Sequence, residues 1–391
     1  MGIRKCALEA LVKMNNVKKL ENFYKGKKVL LTGHTGFKGT YLSVILSVFG
    51  AEVFGYALPA PTDPSLFEIL FGDGASRESK DDLAMIAEEN IRIQKSCIGD
   101  IRDFKRLKEF YDLVKPDAVI HMAAQPIVRE SYRTPRETFE TNVSGTVNLL
   151  EALRCDKDER PVSFLNVTTD KVYENREIAG YAYKEDDKLD GYDPYSNSKS
   201  CSELVTHSYR NSFFGDRENI RISTARAGNV IGGGDFAADR LIPDCMRAYI
   251  SGKKVEVRNP KSTRPFQHVF EPLFVYLTIV AEQARDPRKA GYYNVGPDEC
   301  DCVNAGELCD LFKKYAEGFD WINRSEANAP HEASFLRLDN SLIKETFGWE
   351  PKWHIDRAVR ASVDFCEALM QSKEKAGAEL LRELGEYIEN D

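Results

Sequence analysis

The sequence predicts an α/β protein, a doubly wound parallel sheet followed by a smaller C-terminal region. Short apolar runs recur between segments of helical spacing, which is the pattern of alternating strands and helices. Those runs do not alternate apolar with polar, as strands buried on both faces do not. After about residue 234 the rhythm breaks, and loops rich in Pro, Gly, Asp and Arg alternate with short helices.

Taken in order, residues 1–26 read as an appendage, with Leu8, Leu11 and Val12 on one side of a short helix and Gly26 ending it. Lys28–Thr32 (KVLLT) is a buried strand. A glycine-rich turn follows, then an apolar helix from Thr40 to Phe49 closed by Gly50, glycine being the favoured residue just past a helix end. Glu52–Tyr56, Ala118–Met122, Val162–Thr168 and Asn219–Arg226 are further strands, a third apolar stretch precedes Gly99, and Arg136–Leu153 has helical spacing. Parallel pairing with right-handed crossovers then puts helices on both faces. Beyond the break, Ser251–Asn259 reads as a small strand and turn, and 303–318 and 355–370 as helices. Residues 371–391 are strongly charged, with Leu380, Leu381, Leu384 and Ile388 on one helical stripe that docks on the surface.

The chain has 391 residues, 42% hydrophobic and 30% charged, enough for a sizeable core. Lys and Arg number 54 against 62 Asp and Glu, a net charge of −8. That balance argues against a general nucleic-acid or anionic-membrane binder and leaves room for a local basic pocket. No run approaches the length of a membrane span, and the N-terminus does not read as a secretory leader. The nine cysteines are scattered, Cys300 and Cys302 being the one close pair, and neither they nor the six histidines have metal-ligand spacing. Ordinary thiols in a reducing cytoplasm are expected, and no metal site.

Thr32–Gly39 (TGHTGFKG) places glycines at 33, 36 and 39, between a strand and a helix. A dinucleotide pyrophosphate needs this: a tight turn, close backbone approach, and a helix whose first amides face the anion. This is a Rossmann-type arrangement. The second strand ends Gly55-Tyr56-Ala57, with neither an acid for a ribose 2′-hydroxyl nor a cation for a 2′-phosphate, which favours NAD over NADP. Asp100, in Gly99-Asp-Ile-Arg102, either accepts from the adenine amino group or caps a helix.

Tyr195-Ser-Asn-Ser-Lys199 sets a tyrosine and a lysine one helical turn apart. A phenolate at neutral pH needs a shift of about three units, about 4 kcal/mol, which a lysine ammonium and a positive nicotinamide ring can supply. Val167–Tyr173 (VTTDKVY) ends a strand at the sheet's carboxyl edge, where open α/β sheets bind ligands. Thr169, Asp170 and Lys171 therefore point toward the site.

On these residues the chain resembles the extended short-chain dehydrogenase/reductase superfamily and, within it, the CDP-glucose 4,6-dehydratases. The likeness is carried by TGHTGFKG, His121–Gln125 (HMAAQ), TTDKVY and Tyr195–Lys199, with support from Ala225–Asp235, Thr263–Val269, Pro330–Ala333 (PHEA) and Gly348–Trp353. It spans about residues 22–370. The resemblance implies NAD held by Gly33, Thr35, Gly36, Phe37, Lys38, Gly39, Tyr56, Asp100, Ile101, Ala123, Ala124, Gln125, Tyr195 and Lys199. It implies a nucleotide sugar, CDP-glucose, held by Asn229, Arg240, Arg264 and His331. It implies a cycle in which Tyr195 takes the 4-hydroxyl proton while C4 is oxidised, Thr169 holds the same oxygen, water leaves C6, and the retained hydride returns there. Related dTDP-glucose dehydratases carry Asp-Glu as acid and C5 base; here the pair is Asp170-Lys171. Asp170 keeps the acid role, and Lys171 is either a neutral base or an electrostatic stabiliser of the enolate. A 4-epimerase of the same superfamily would share the fold, NAD, Tyr195 and Lys199 but has no use for the Asp170-Lys171 pair. An NAD-binding protein without turnover would not need Thr169, Tyr195 and Lys199 together.

The expected organisation is an N-terminal extension over 1–26, an NAD-binding domain over 27–234 to which part of the later chain returns, a mainly nucleotide-sugar-binding region over 235–370, and a C-terminal helix over 371–391. The resemblance further implies a homodimer, formed by the helix within 136–153 and the helix beginning near Tyr195, with Val143, Val147 and Leu150 facing the partner or the sheet.

Overall fold

A computed structural model describes residues 16–75, 92–178, 180–324 and 336–389. Seven parallel strands form the central sheet: β1 (Lys28–Thr32), β2 (Glu52–Ala57), β3 (Lys95–Ile98), β4 (Ala118–His121), β5 (Val162–Thr169), β6 (Ile220–Ala227) and, after three strands that lie elsewhere, β10 (Tyr292–Val295). Their order is β10-β6-β5-β4-β1-β2-β3, and every pairing is parallel. Strand order reverses between β1 and β4. A crevice opens there at the carboxyl edge, because the connections leaving the two strands run in opposite directions.

The strands pair in register because both faces are covered. Val29, Leu30 and Leu31 are fully buried, as are all eight residues of β5. The helix after the glycine turn is Phe37–Val48, three residues longer at its start than the apolar run suggests, with Gly36 as its N-cap. Pro135–Arg154 is one helical stretch with a π-turn over Glu140–Ser144. Leu150 faces the sheet, whereas Val143 and Val147 are half-buried.

The second region holds a three-stranded sheet, β11-β9-β7, and a two-stranded one, β12-β8. Their strands are β7 (Asn229–Ile231), β8 (Val255–Val257), β9 (Thr263–His268), β11 (Cys302–Asn304) and β12 (Trp321–Asn323). Helices Leu241–Ile250, Ala305–Tyr315 and Ile355–Gln371 close around them with their own core, built on Ile242, Met246, Phe312 and Val363. The chain returns from this region to the central sheet: Phe270–Arg285, a helix buried along most of its length, packs on β5 and β6, and β10 then pairs with β6.

Both chain ends pack inward. Val17, Leu20 and Tyr24 are buried, and the Tyr24 hydroxyl donates to the Leu277 carbonyl at 2.9 Å. The last helix, Lys373–Glu389, buries Leu380, Leu384 and Tyr387, each worth about 1.5–3 kcal/mol. Tyr387 meets Phe270, Phe274 and Trp353 edge-on or tilted. Leu8, Leu11 and Val12 lie outside the described residues.

Candidate active site

The site begins at the turn out of β1. Gly33 has φ +78°, which side chains with a Cβ rarely adopt. A Cβ on Gly33 would come within 2.9 Å of the Ala123 amide nitrogen, and one on Gly39 within 2.1 Å of the Gly33 carbonyl oxygen. The turn thus packs as bare backbone against the loop leaving β4. The Thr32 hydroxyl ties these loops together, accepting from the Met122 and Ala123 amides at 3.1 Å each and bonding His121 at 2.7 Å. His121 also bonds Thr146 at 3.0 Å, and burial, then Lys199, lowers its pKa to about 3.

A cavity of about 1010 Å³ runs from this turn to the second region. Gly33, Thr35, Gly36, Phe37, Lys38, Gly39, Tyr56, Asp100, Ile101, Ala123 and Ala124 line it. Asp100 is not a helix cap: Asp103 caps the next helix, and the Asp100 carboxylate accepts from the Arg102 amide at 2.9 Å and its guanidinium at 2.6 Å. Tyr56 donates to the Asp100 carbonyl at 3.0 Å. Gln125 does not line the cavity: its side chain donates to Thr138 at 2.9 Å and accepts from the Ile127 amide at 2.5 Å, shaping the loop beside it.

On the sheet side, β5 delivers Thr169, Asp170 and Lys171, while Pro194–Tyr209, capped by Asp193, delivers Tyr195 and Lys199. Thr169, Lys171, Tyr195 and Lys199 line the cavity. Burial pushes the Tyr195 phenol up to about 12, against the pull of the Thr169 hydroxyl bonded to it and of Arg240. Lys199 donates to the Val167 carbonyl at 3.0 Å, and burial lowers its pKa to about 8, with Glu203 opposing. Lys38 is lowered to about 7 by burial and then by Arg240 and Lys199. Asp170 lies behind the wall, fully buried: Oδ1 accepts from Thr169 at 2.9 Å and from Lys171 at 3.1 Å, while Oδ2 has no partner among the described residues.

On the far wall, Asn229 accepts from Lys171 Nζ at 3.5 Å. Arg240 pairs with Asp235 at 3.1 Å, and Arg264 donates to the Thr263 carbonyl at 2.9 Å. All three line the cavity. His331 lies outside the described residues.

Two features escape the motifs. Arg129 and Arg258 both approach Asp239, at 3.1 and 4.0 Å, at the cavity's edge; nothing local in the sequence marks that meeting of three segments. Glu203 and Arg226 form a fully buried pair at 3.0 Å beneath the site. Glu203 also accepts from Thr168 and, at 2.7 Å, from Thr224, joining β5, β6 and the Tyr195 helix. Its place four residues after Lys199 is the signal that could have found it.

The profile of the GDP-mannose 4,6 dehydratase family matches residues 30–362. A CDP-glucose 4,6-dehydratase from Salmonella typhimurium is 41% identical over 374 residues, 94% of this chain and 98% of that protein. A CDP-paratose 2-epimerase from Salmonella typhi is 25% identical, covering 88% of this chain and all of that one, 100%. Among solved structures, a UDP-glucose 4-epimerase from Thermotoga maritima superposes with a TM-score of 0.69 at 19% identity, covering 87% of this chain and 99% of that chain. A UDP-glucose 4-epimerase from Stenotrophomonas maltophila, solved with bound NAD, gives 0.72 at 21% identity over 88% and 99%. These structures share the fold.

Proposed function

The chain belongs to the GDP-mannose 4,6 dehydratase family, and from that premise we propose that it is an NAD-dependent 4,6-dehydratase that converts CDP-glucose to CDP-4-keto-6-deoxyglucose. The observation that carries this reading is Thr169 and Lys171 lining one cavity with Tyr195 and Lys199, with Asp170 bonded to both from just behind the wall, in a chain 41% identical to a CDP-glucose 4,6-dehydratase over nearly its whole length. A 4-epimerase needs no acid beside the sugar C6, and Asp170-Lys171 would then be idle.

The residues present fit NAD. Only glycine fits at 33 and 39, where the turn packs backbone on backbone beside the cavity and leaves room for a pyrophosphate, and the second strand, EVFGYA, carries no cation of its own to favour a 2′-phosphate. When bound, the cofactor would supply the acceptor for the sugar C4 hydride and its donor to C6.

The protein's part is proton movement and positioning. Tyr195 takes the proton of the C4 hydroxyl, and Thr169 holds that oxygen. Deprotonation must offset the burial that keeps the phenol near 12, so positive charge is needed on its cavity side; Lys199 and Arg240 lie there. Asp170, whose carboxylate accepts from Thr169 and Lys171, takes the proton released from C5 and gives it to the departing C6 hydroxyl, which leaves as water. Lys171 already pairs its ammonium with Asp170, which supports the electrostatic role: it stabilises the charge that develops when C5 loses its proton. Asn229, Arg240 and Arg264 hold the nucleotide sugar, Arg264 offering a two-nitrogen fork to the diphosphate.

The working unit in this reading is a cytoplasmic homodimer paired through helical stretch 135–154 and helix Pro194–Tyr209. The exposed Leu204 and the half-buried Val143 and Val147 support that face, and the cysteines among the described residues, all free thiols, suit a reducing compartment. Light scattering at micromolar concentration should give a dimer's mass; a monomer of 44.2 kDa overturns the pairing. For the activity, the protein is incubated with NAD and, separately, CDP-, dTDP-, UDP- and GDP-hexoses. The near-ultraviolet band that 4-keto-6-deoxy sugars develop in alkali should appear with CDP-glucose first; an epimerised product without that band overturns the assignment.

A further inference from the structure

Outside the cavity, three side chains of different chemistry converge on one point. The turn Glu299–Asp301 follows β10 and brings Cys300 and Asp301 against His354, the residue that precedes helix Ile355–Gln371. The His354 Nδ1 lies 2.9 Å from Asp301 Oδ2 and 3.8 Å from Cys300 Sγ, and that sulfur lies 3.8 Å from the same carboxylate oxygen. The other Asp301 oxygen is engaged, accepting from the Ile355 amide at 2.8 Å. The carboxylate is thus fixed, almost fully buried, with Oδ2 turned toward the sulfur and the imidazole.

An ion pair accounts for the His354–Asp301 contact but not for the sulfur beside it, and a catalytic relay does not fit. In a thiol–imidazole–carboxylate relay, sulfur and carboxylate would sit on opposite ring nitrogens. Here both face Nδ1.

We propose that Cys300, Asp301 and His354 form a zinc site with a fourth position open to solvent. Thiolate, imidazole and carboxylate are zinc's ordinary ligands, and its bond lengths of about 2.0–2.3 Å in tetrahedral geometry separate the donors by about 3.3–3.6 Å. The observed separations of 2.9, 3.8 and 3.8 Å need adjustments of only a few tenths of an ångström. Asp298, held by Lys344 at 2.8 Å and Asn340 at 3.0 Å, adds negative charge nearby. Cys300 and His354 are exposed, leaving the fourth position to water. On binding, the Cys300 thiol releases its proton to solvent, and His354 presents the Nδ1 lone pair with its proton on Nε2. The ion would join the turn after β10 to the start of helix Ile355–Gln371, and so tie the central sheet's edge to the second region.

The full chain, stripped with chelator, is titrated with Co²⁺ as the probe. One equivalent should give a thiolate-to-cobalt charge-transfer band with the strong visible bands of tetrahedral cobalt, and Zn²⁺ should displace it. Cys300→Ser should lose the charge-transfer band, His354→Asn should lose the tetrahedral spectrum, and Cys302→Ser should keep both. Zn²⁺ should raise the melting temperature of the wild-type chain and leave that of Cys300→Ser unmoved. The melt of the metal-free Cys300→Ser variant, matched to the wild type, shows that it folds. No charge-transfer band in the wild type, or one that survives Cys300→Ser, overturns the site.

Discussion

On the sheet side of the cavity, Thr169, Tyr195 and Lys199 are 5%, 9% and 5% exposed, and each is tied by a hydrogen bond to a neighbouring strand or helix. On the opposite side, the Arg240 and Arg258 side chains are 37% and 50% exposed and are held by ion pairs to Asp235 and Asp239. The contrast fits the roles proposed for the two walls. A group that must change its proton affinity gains leverage from burial, since a low dielectric magnifies every neighbouring charge. A cation that grips a diphosphate keeps its charge anyway and can reach through partly wet space on a long stem. The sheet side should therefore fail in rate, and the far side in affinity.

The sharpest test is Tyr195→Phe. It leaves the ring and removes the group that takes the C4 proton, so kcat should fall by about 10³–10⁴. No reduced nicotinamide absorbance should appear after substrate is added. Asp170→Asn should cost less, about 10²-fold, and fail later. Oxidation at C4 proceeds, elimination slows, and reduced nicotinamide accumulates on the enzyme. If both variants stay equally dark, Asp170 acts before elimination. Lys171→Met sharpens the same half: exchange of the sugar C5 proton with solvent should slow yet persist, whereas its abolition would make Lys171 the base.

Arg264→Met breaks the comparison from the other side. A charged hydrogen bond is worth about 1.5–3 kcal/mol, so KM for the nucleotide sugar should rise about 10–100-fold, with kcat within about threefold. An equal loss in kcat would mean that this arginine acts on the reacting sugar, and the division between the two walls would fall.

The same division decides what could be read from the chain. The sheet side is written locally: a glycine turn between strand and helix, a tyrosine and lysine one turn apart, and TTDKVY at a strand end are each a few consecutive residues obeying backbone rules. Its details are short-range too. Asp100 lines the cavity as expected and is held by Arg102, two residues on, rather than capping a helix, while Gln125 is held by Thr138 and the Ile127 amide outside the lining. The far side is assembled from segments distant in sequence. Arg129 and Asp239 meet across 110 positions, and no periodicity announces such a pair. That part of the later chain returns to the first domain was expected, but not which part: helix Phe270–Arg285 and β10 rejoin the central sheet, because a strand's place in a sheet is settled by which edge stays open. Glu203 falls between the cases. Its i+4 spacing from Lys199 was visible, but its partner Arg226 sits on β6, and only the fold brings them to 3.0 Å.

The smallest expected effect concerns acid, and it too belongs to the sheet side. His34 and His121 are fully buried there, and burial lowers both to about 3, against about 6.5 in an unfolded chain. As pH falls below 6.5 the unfolded chain takes up protons that the folded chain refuses, so stability drops with acidity. Each histidine contributes a slope of up to about 1.4 kcal/mol per pH unit, ending near the folded value. His121→Asn removes one of the two while an amide can still bond Thr32 or Thr146. Carboxylates titrate alike in both proteins and cancel in the difference. Urea unfolding at pH 7, 6 and 5 should show the wild type losing about 1 kcal/mol more than His121→Asn between pH 6 and 5. Equal losses would mean that His121 is protonated in the folded chain, and then the bonds joining β1, β4 and the following helix could not be arranged as they are.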